Sequence, residues 1–123
     1  MKTPDYYLPV MPYLIMDKVT EFVAFMKAVF NAQERMMVLR EDGSVMHGEI
    51  SIGKAVIMFT DSTGHYKSFP AGMFILIENI DEVFDLAMQN GAICLQGLDD
   101  REYGRSAGFQ DKFGNQWWLT KPE

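Results

Sequence analysis

The feature that most restricts how this chain can fold is a pattern that returns after 61 positions. Gly108-Phe109-Gln110-Asp111-Lys112-Phe113-Gly114-Asn115-Gln116-Trp117-Trp118-Leu119 reads as strand, hairpin turn and strand. Gly114 accepts positive φ, Asn115 tolerates turn geometry, and the aromatic run after them suits a strand deep in a sheet. Ile52-Gly53-Lys54-Ala55-Val56-Ile57-Met58 has the same shape, its glycine 114 − 53 = 61 positions earlier. That offset also lays Tyr13-Leu14-Ile15-Met16 under Phe74-Ile75-Leu76-Ile77 and Val19-Thr20-Glu21-Phe22-Val23 under Ile80-Asp81-Glu82-Val83-Phe84. Without gaps, it sets Val56-Ile57-Met58 on Trp117-Trp118-Leu119. An internal duplication accounts for all of these at once. The implied fold is α+β: two βαβββ modules, about residues 10–60 and 71–121 of one domain spanning 1–123, form a curved mixed sheet with helices outside.

The local patterns agree with that plan. Val10 to Met16 reads as a strand, with Pro12 implying an edge position or bulge. Asp17 or Lys18 opens a helix through about Asn31, with Val19, Phe22, Val23, Met26, Val29 and Phe30 on one apolar stripe. Strands follow at Gln33–Arg40, Val45–Ile52 and Ala55–Thr60. Asp61 to Pro70 reads as a loop, in which Asp61, His65 and Tyr66 could form part of a lid. Met73–Ile77 is the next strand. Asn79 with Glu82 resembles a capping box, and Gly91 ends the second helix. Ala92–Leu98, Tyr103–Phe109 and Gln116–Lys121 complete the set.

Composition excludes several function classes. The chain carries 11 basic and 17 acidic side chains with no basic cluster, which argues against a nucleic-acid partner. Pro9 and Pro12 interrupt the apolar run near the N-terminus, no cleavage site follows, and no run approaches the ~18 apolar residues of a membrane span. The lone Cys94 excludes an internal disulfide and a cysteine zinc cluster. It reads as a small core thiol in a cytoplasmic protein.

The chain resembles the glyoxalase/bleomycin-resistance group, the vicinal oxygen chelate superfamily, and within it the PhnB-like branch. The matching residues are Pro12-Tyr13-Leu14, Phe25 to Ala32, Gly43 with Val45-Met46-His47-Gly48-Glu49, and Ile52-Gly53. In the second half they are Asp81, Gly91-Ala92, Tyr103-Gly104-Arg105 and Asp111 to Trp118, with Lys112 where the family usually has proline. The resemblance implies the same duplicated fold, and it implies four strand positions that hold a divalent metal in the family's enzymes. Those positions fall at or beside Met11, Ile57, Gly72 and Trp118, none of which offers an oxygen or nitrogen ligand.

His47 and Glu49 share a strand face and could bind a ligand, act as a general base, give half a metal site, or form a structural hydrogen-bonded pair. A two-residue turn at Gly53 pairs Ile50 with Ile57 and sends His47 away from the expected cup. A three-residue turn sends it inward. Arg101, Tyr103 and Arg105 alternate onto one face and could clamp an anion, or simply line a solvated edge. Trp117 and Trp118 point to opposite faces, and by family position Trp118 takes the concave one, as a stacking wall or as core filling. Met11, Ile57 and Phe59 could line the wall around it. The expectation is a homodimer that binds a small apolar or aromatic molecule in its cup, with no metal or other cofactor. The ligand-binding candidates are His47, Glu49, Phe59, Tyr103, Arg105 and Trp118. The alternative is a divalent-metal enzyme of lyase, isomerase or dioxygenase type with displaced ligands; a third reading is a collapsed pocket that leaves only an assembly role.

Overall fold

The computed structural model describes residues 2–123. Its elements run β1 (Tyr13–Met16), α1 (Val19–Phe30), β2 (Gln33–Leu39), β3 (Val45–Ile52) and β4 (Ala55–Asp61). The same order then repeats as β5 (Gly72–Leu76), α2 (Ile80–Gln89), β6 (Ile93–Arg101), β7 (Gly104–Gln110) and β8 (Gln116–Thr120). Each half is a four-stranded mixed sheet, in the orders β1-β4-β3-β2 and β5-β8-β7-β6. The β1–β4 and β5–β8 pairs are parallel and the others antiparallel.

The two helices touch each other, α1 against β3 and β4 and α2 against β6 and β7, so the core lies on the helix side of both sheets. The whole predicted stripe of α1 is buried, with Phe25 added to it. Phe22 meets Phe59 edge-on at 5.9 Å, and Phe30 lies 4.9 Å from the Trp117 ring. Each such side chain contributes about 1.5–3 kcal/mol by leaving water.

Several local features differ from the sequence reading. β1 starts only at Tyr13, because Pro12 has no N–H to give a ladder. The Asn79 side chain makes no cap bond, so there is no capping box on α2. Lys18, before α1, is left-handed (φ 58), and the first free helix N–H, that of Val19, is satisfied by Asp61 Oδ1 at 3.0 Å. Asp61 Oδ2 accepts from the Val45 N–H at 2.7 Å, so this residue ties α1 to β3 rather than joining a lid. Cys94 is exposed on β6, an edge strand, and is not a core thiol.

The constant offset fails at the hairpins. Ile52 and Ala55 flank a two-residue turn at Gly53-Lys54, whereas Asp111 closes on Asn115 around three residues, with its N–H donating to the Asn115 carbonyl at 2.9 Å. The row Tyr13–Met58–Glu49 across the first sheet therefore matches Phe74–Trp118–Gly108 across the second. The counterpart of Trp118 is Met58 (118 − 58 = 60), not Ile57.

Candidate functional site

Strand alternation assigns the two sheet faces. In the first sheet, Leu14, Gly48, Ile50, Ile57 and Phe59 face α1, while Tyr13, His47, Glu49 and Met58 occupy the helix-free face. The Gly53 turn has two residues and Ile50 stands opposite Ile57, yet His47 is on the open face, because Ile57 itself points to the core. Phe59 is also core: it is fully buried, and its ring fills the space where a β-carbon on Gly48 would sit, 2.1 Å away. It does not line the open face.

Glu49 is fully buried although no helix covers it. The cover is the N-terminal segment. The Tyr6 hydroxyl donates to Oε1 at 2.6 Å, and the Tyr7 hydroxyl donates to Oε2. His47 Nε2 lies 2.7 Å from Oε2; an ionised carboxylate can only accept, which places a proton on that nitrogen. Burial pushes the Glu49 carboxyl up, but the hydrogen bonds from Tyr6, Tyr7 and His47 outweigh it and hold the group below its ordinary value. The same contacts act in reverse on the phenols. The hydrogen bond to Glu49, then burial and the carboxylate charge, push Tyr7 up to about 12 and also raise Tyr6. Tyr13 stands beside the pair, its ring 5.9 Å from that of His47. Sequence reasoning read His47 and Glu49 as a pair but gave no role to Tyr6 or Tyr7. The adjacent tyrosines were a visible signal, but the fold of the lead-in was not.

In the second sheet, Trp117 is buried against Phe30 and donates its indole N–H to Asp111 Oδ2 at 2.9 Å. Trp118 lies on the opposite, helix-free face and is 37% exposed, with Phe74 and Leu76 exposed on the same face. Its ring lies over Gly108. Arg101, Tyr103 and Arg105 do not converge. Glu102-Tyr103 is the β6–β7 turn, and Arg101 donates to the Ser106 and Gly97 carbonyls. Arg105 pairs with Asp81 at 2.7 Å and with Asp100 at 3.3 Å, which raises its pKa.

An apolar cavity of 340 Å³ opens between the sheets, with Leu8 and Val10 of the lead-in on one wall and Phe74 and Leu76 on another. Met11, half-buried, lines it too, whereas Gly72 is exposed and does not. Among the described residues, no three His, Cys, Asp or Glu side chains come together as a metal site. Among the open-face side chains of β1, β4, β5 and β8, the rows Tyr13–Met58 and Phe74–Trp118 are aromatic and thioether groups and offer a hard divalent cation no carboxylate or imidazole; Thr60, Gln116 and Thr120 on the same faces carry only neutral oxygens. No helix among the described residues is long and apolar enough to cross a membrane.

Comparison with known proteins agrees with this architecture. A PhnB protein from Bacillus cereus superposes with a TM-score of 0.77 at 20% identity, over 94% of this chain and 100% of that one. TioX from Micromonospora sp. ML1 gives 0.72 at 18% identity, over 91% and 98%. The fosfomycin resistance protein FosX from Listeria monocytogenes, in complex with Mn(II) and sulfate, gives 0.70 at 18%, over 93% and 89%. An uncharacterized protein of Mycobacterium bovis is 26% identical, over 90% of this chain and 81% of its own length. The sequence pattern of one family matches residues 7–119, nearly the whole chain, and the protein therefore belongs to the Glyoxalase/Bleomycin resistance protein/Dioxygenase superfamily.

Proposed function

We propose that this protein binds a small apolar or aromatic molecule on its helix-free sheet faces, in a cup closed by a second copy of the chain, without the family's usual metal centre. The observation that carries this reading is Trp118. An indole that is 37% exposed, beside exposed Phe74 and Leu76, is a large apolar plane with one N–H donor, suited to stacking on a flat ligand. Exposed apolar patches of this kind mark ligand or protein contacts. The absence of a carboxylate or imidazole among the open-face side chains of β1, β4, β5 and β8, with Met58, Phe74 and Trp118 at their centre, supports the metal-free part. The one open-face carboxylate of the first sheet already has its oxygens engaged by Tyr6, Tyr7 and His47.

Naphthalene is a suitable probe, because it has the planar apolar character of the proposed ligand and no hydrogen-bonding group. Binding measured by calorimetry in the parent protein and in Trp118→Phe tests the reading. Elemental analysis of protein purified without chelator tests the metal-free part, and about one transition-metal ion per chain would favour the enzyme reading instead.

A further inference from the structure

Residues 2–12 lie across the first sheet without a helix or strand of their own. The Tyr7 N–H bonds back to the Pro4 carbonyl and the Leu8 N–H to Met11 Sδ, and the strap rejoins the sheet where Pro12 accepts from the Met58 N–H. Between those points, among the described residues, its hydrogen bonds to the sheet are the Tyr6 and Tyr7 hydroxyls on Glu49. Two phenols thus supply the side-chain hydrogen bonds that tie the strap to the sheet. With the strap lifted, Glu49 has acceptor positions open beside the His47 N–H, and whatever replaces the tyrosines must bring donors.

We propose that Glu49 and His47 anchor a binding site for a phenolic molecule, whose hydroxyl takes the place of a Tyr6 or Tyr7 hydroxyl when the strap swings away. This rests on the reading that an aromatic molecule binds the helix-free faces, and it names the chemical class. The local side chains select a phenol over a cation. The Arg35 guanidinium stands on the same face, donating to Ser51 Oγ at 3.0 Å, and would repel a second positive charge. Met36 and Met58 flank Glu49 in the strand register and Tyr13 stands over His47, so a ring attached to the hydroxyl meets thioether and aromatic surface. In the parent protein the strap competes with the ligand, and the apparent affinity is reduced by the fraction of chains that are open.

The test follows the His47 ring resonances by NMR during titration with p-cresol, the free form of the tyrosine side chain, and with toluene, which lacks the hydroxyl. In the parent protein p-cresol shifts His47 saturably and toluene does not. In Tyr6→Phe/Tyr7→Phe, which keeps both rings but removes the competing hydroxyls, p-cresol binds roughly tenfold tighter or more, and Glu49→Gln in that background abolishes the gain. Equal p-cresol affinity in the parent and the double variant, or an equal response to toluene, overturns the proposal. Should the double variant fail to fold, the comparison of p-cresol with toluene in the parent decides alone. Naphthalene binding through Trp118 is read separately, so failure of either site is distinguishable from failure of the other.

Discussion

The Trp118 indole lies over Gly108, where a β-carbon would come within 2.4 Å of its ring. In the other hairpin Gly48 lies under Phe59, with a β-carbon 2.1 Å from that ring. The two contacts lie on opposite faces, Phe59 in the core and Trp118 toward solvent.

Alanine at these two glycines should therefore act differently. Gly48→Ala overpacks a fully buried ring and should lower the unfolding free energy by about 1–3 kcal/mol or more. Gly108→Ala pushes against a ring that can move outward, so it should cost less stability and instead weaken naphthalene binding. Urea denaturation of both variants, with calorimetry on the second, checks the pair. Equal destabilisation would contradict the assignment of faces.

The buried turn makes a second prediction. Asp111 is 2% exposed and accepts from the Trp117 indole N–H, the Asn115 side-chain amide and the N–H groups of Phe113 and Asn115. Asp111→Ala leaves several buried donors unpaired and should cost about 3 kcal/mol or more, read by urea denaturation. A loss under ~1 kcal/mol would mean that water replaces the carboxylate.

The strap should be visible in pH titrations. Glu49 is held below its ordinary value of 4.5, so its contribution to stability is present above that pH and is lost as pH falls through the folded value. Glu49→Gln should accordingly show a shallower acid limb in thermal unfolding. Tyr7 is raised from 10.0 to about 12, so its contribution is full below pH 10.0 and is lost as pH rises toward 12. Phenolate absorbance of the parent should contain a late step that Tyr7→Phe removes.

Much of the fold was legible in the sequence. The α1 stripe, the β7–β8 turn at Asp111–Asn115 and the division of Trp117 from Trp118 follow from spacing and turn chemistry, which are local. The gapless alignment of the hairpins was misleading: Gly53 and Gly114 share an offset and a positive φ, but their turns enclose different numbers of residues. One residue reverses a face, which is why Ile57 entered the core and His47 the open side. The cover on Glu49 was not legible, because Tyr6 and Tyr7 lie 43 and 42 positions away in a segment without periodicity. The pairing of Arg105 with Asp81 is likewise long-range, and no local pattern announces it.

The exposed faces carry Leu8, Val10, Phe74, Leu76 and Trp118, which should associate with a second copy. Light scattering at micromolar concentration should give a two-chain mass, and a lasting pair would bury well above ~1,000 Å². A one-chain mass would leave the cup open and remove the second copy from the account.

The most direct measurement is the affinity for naphthalene of Trp118→Ala against that of the parent protein, by calorimetry, with circular dichroism to establish that the variant is folded. Loss of the indole should weaken binding by about 1–3 kcal/mol, or roughly tenfold to a hundredfold. An unchanged affinity in folded Trp118→Ala would contradict the claim that this ring forms the binding wall.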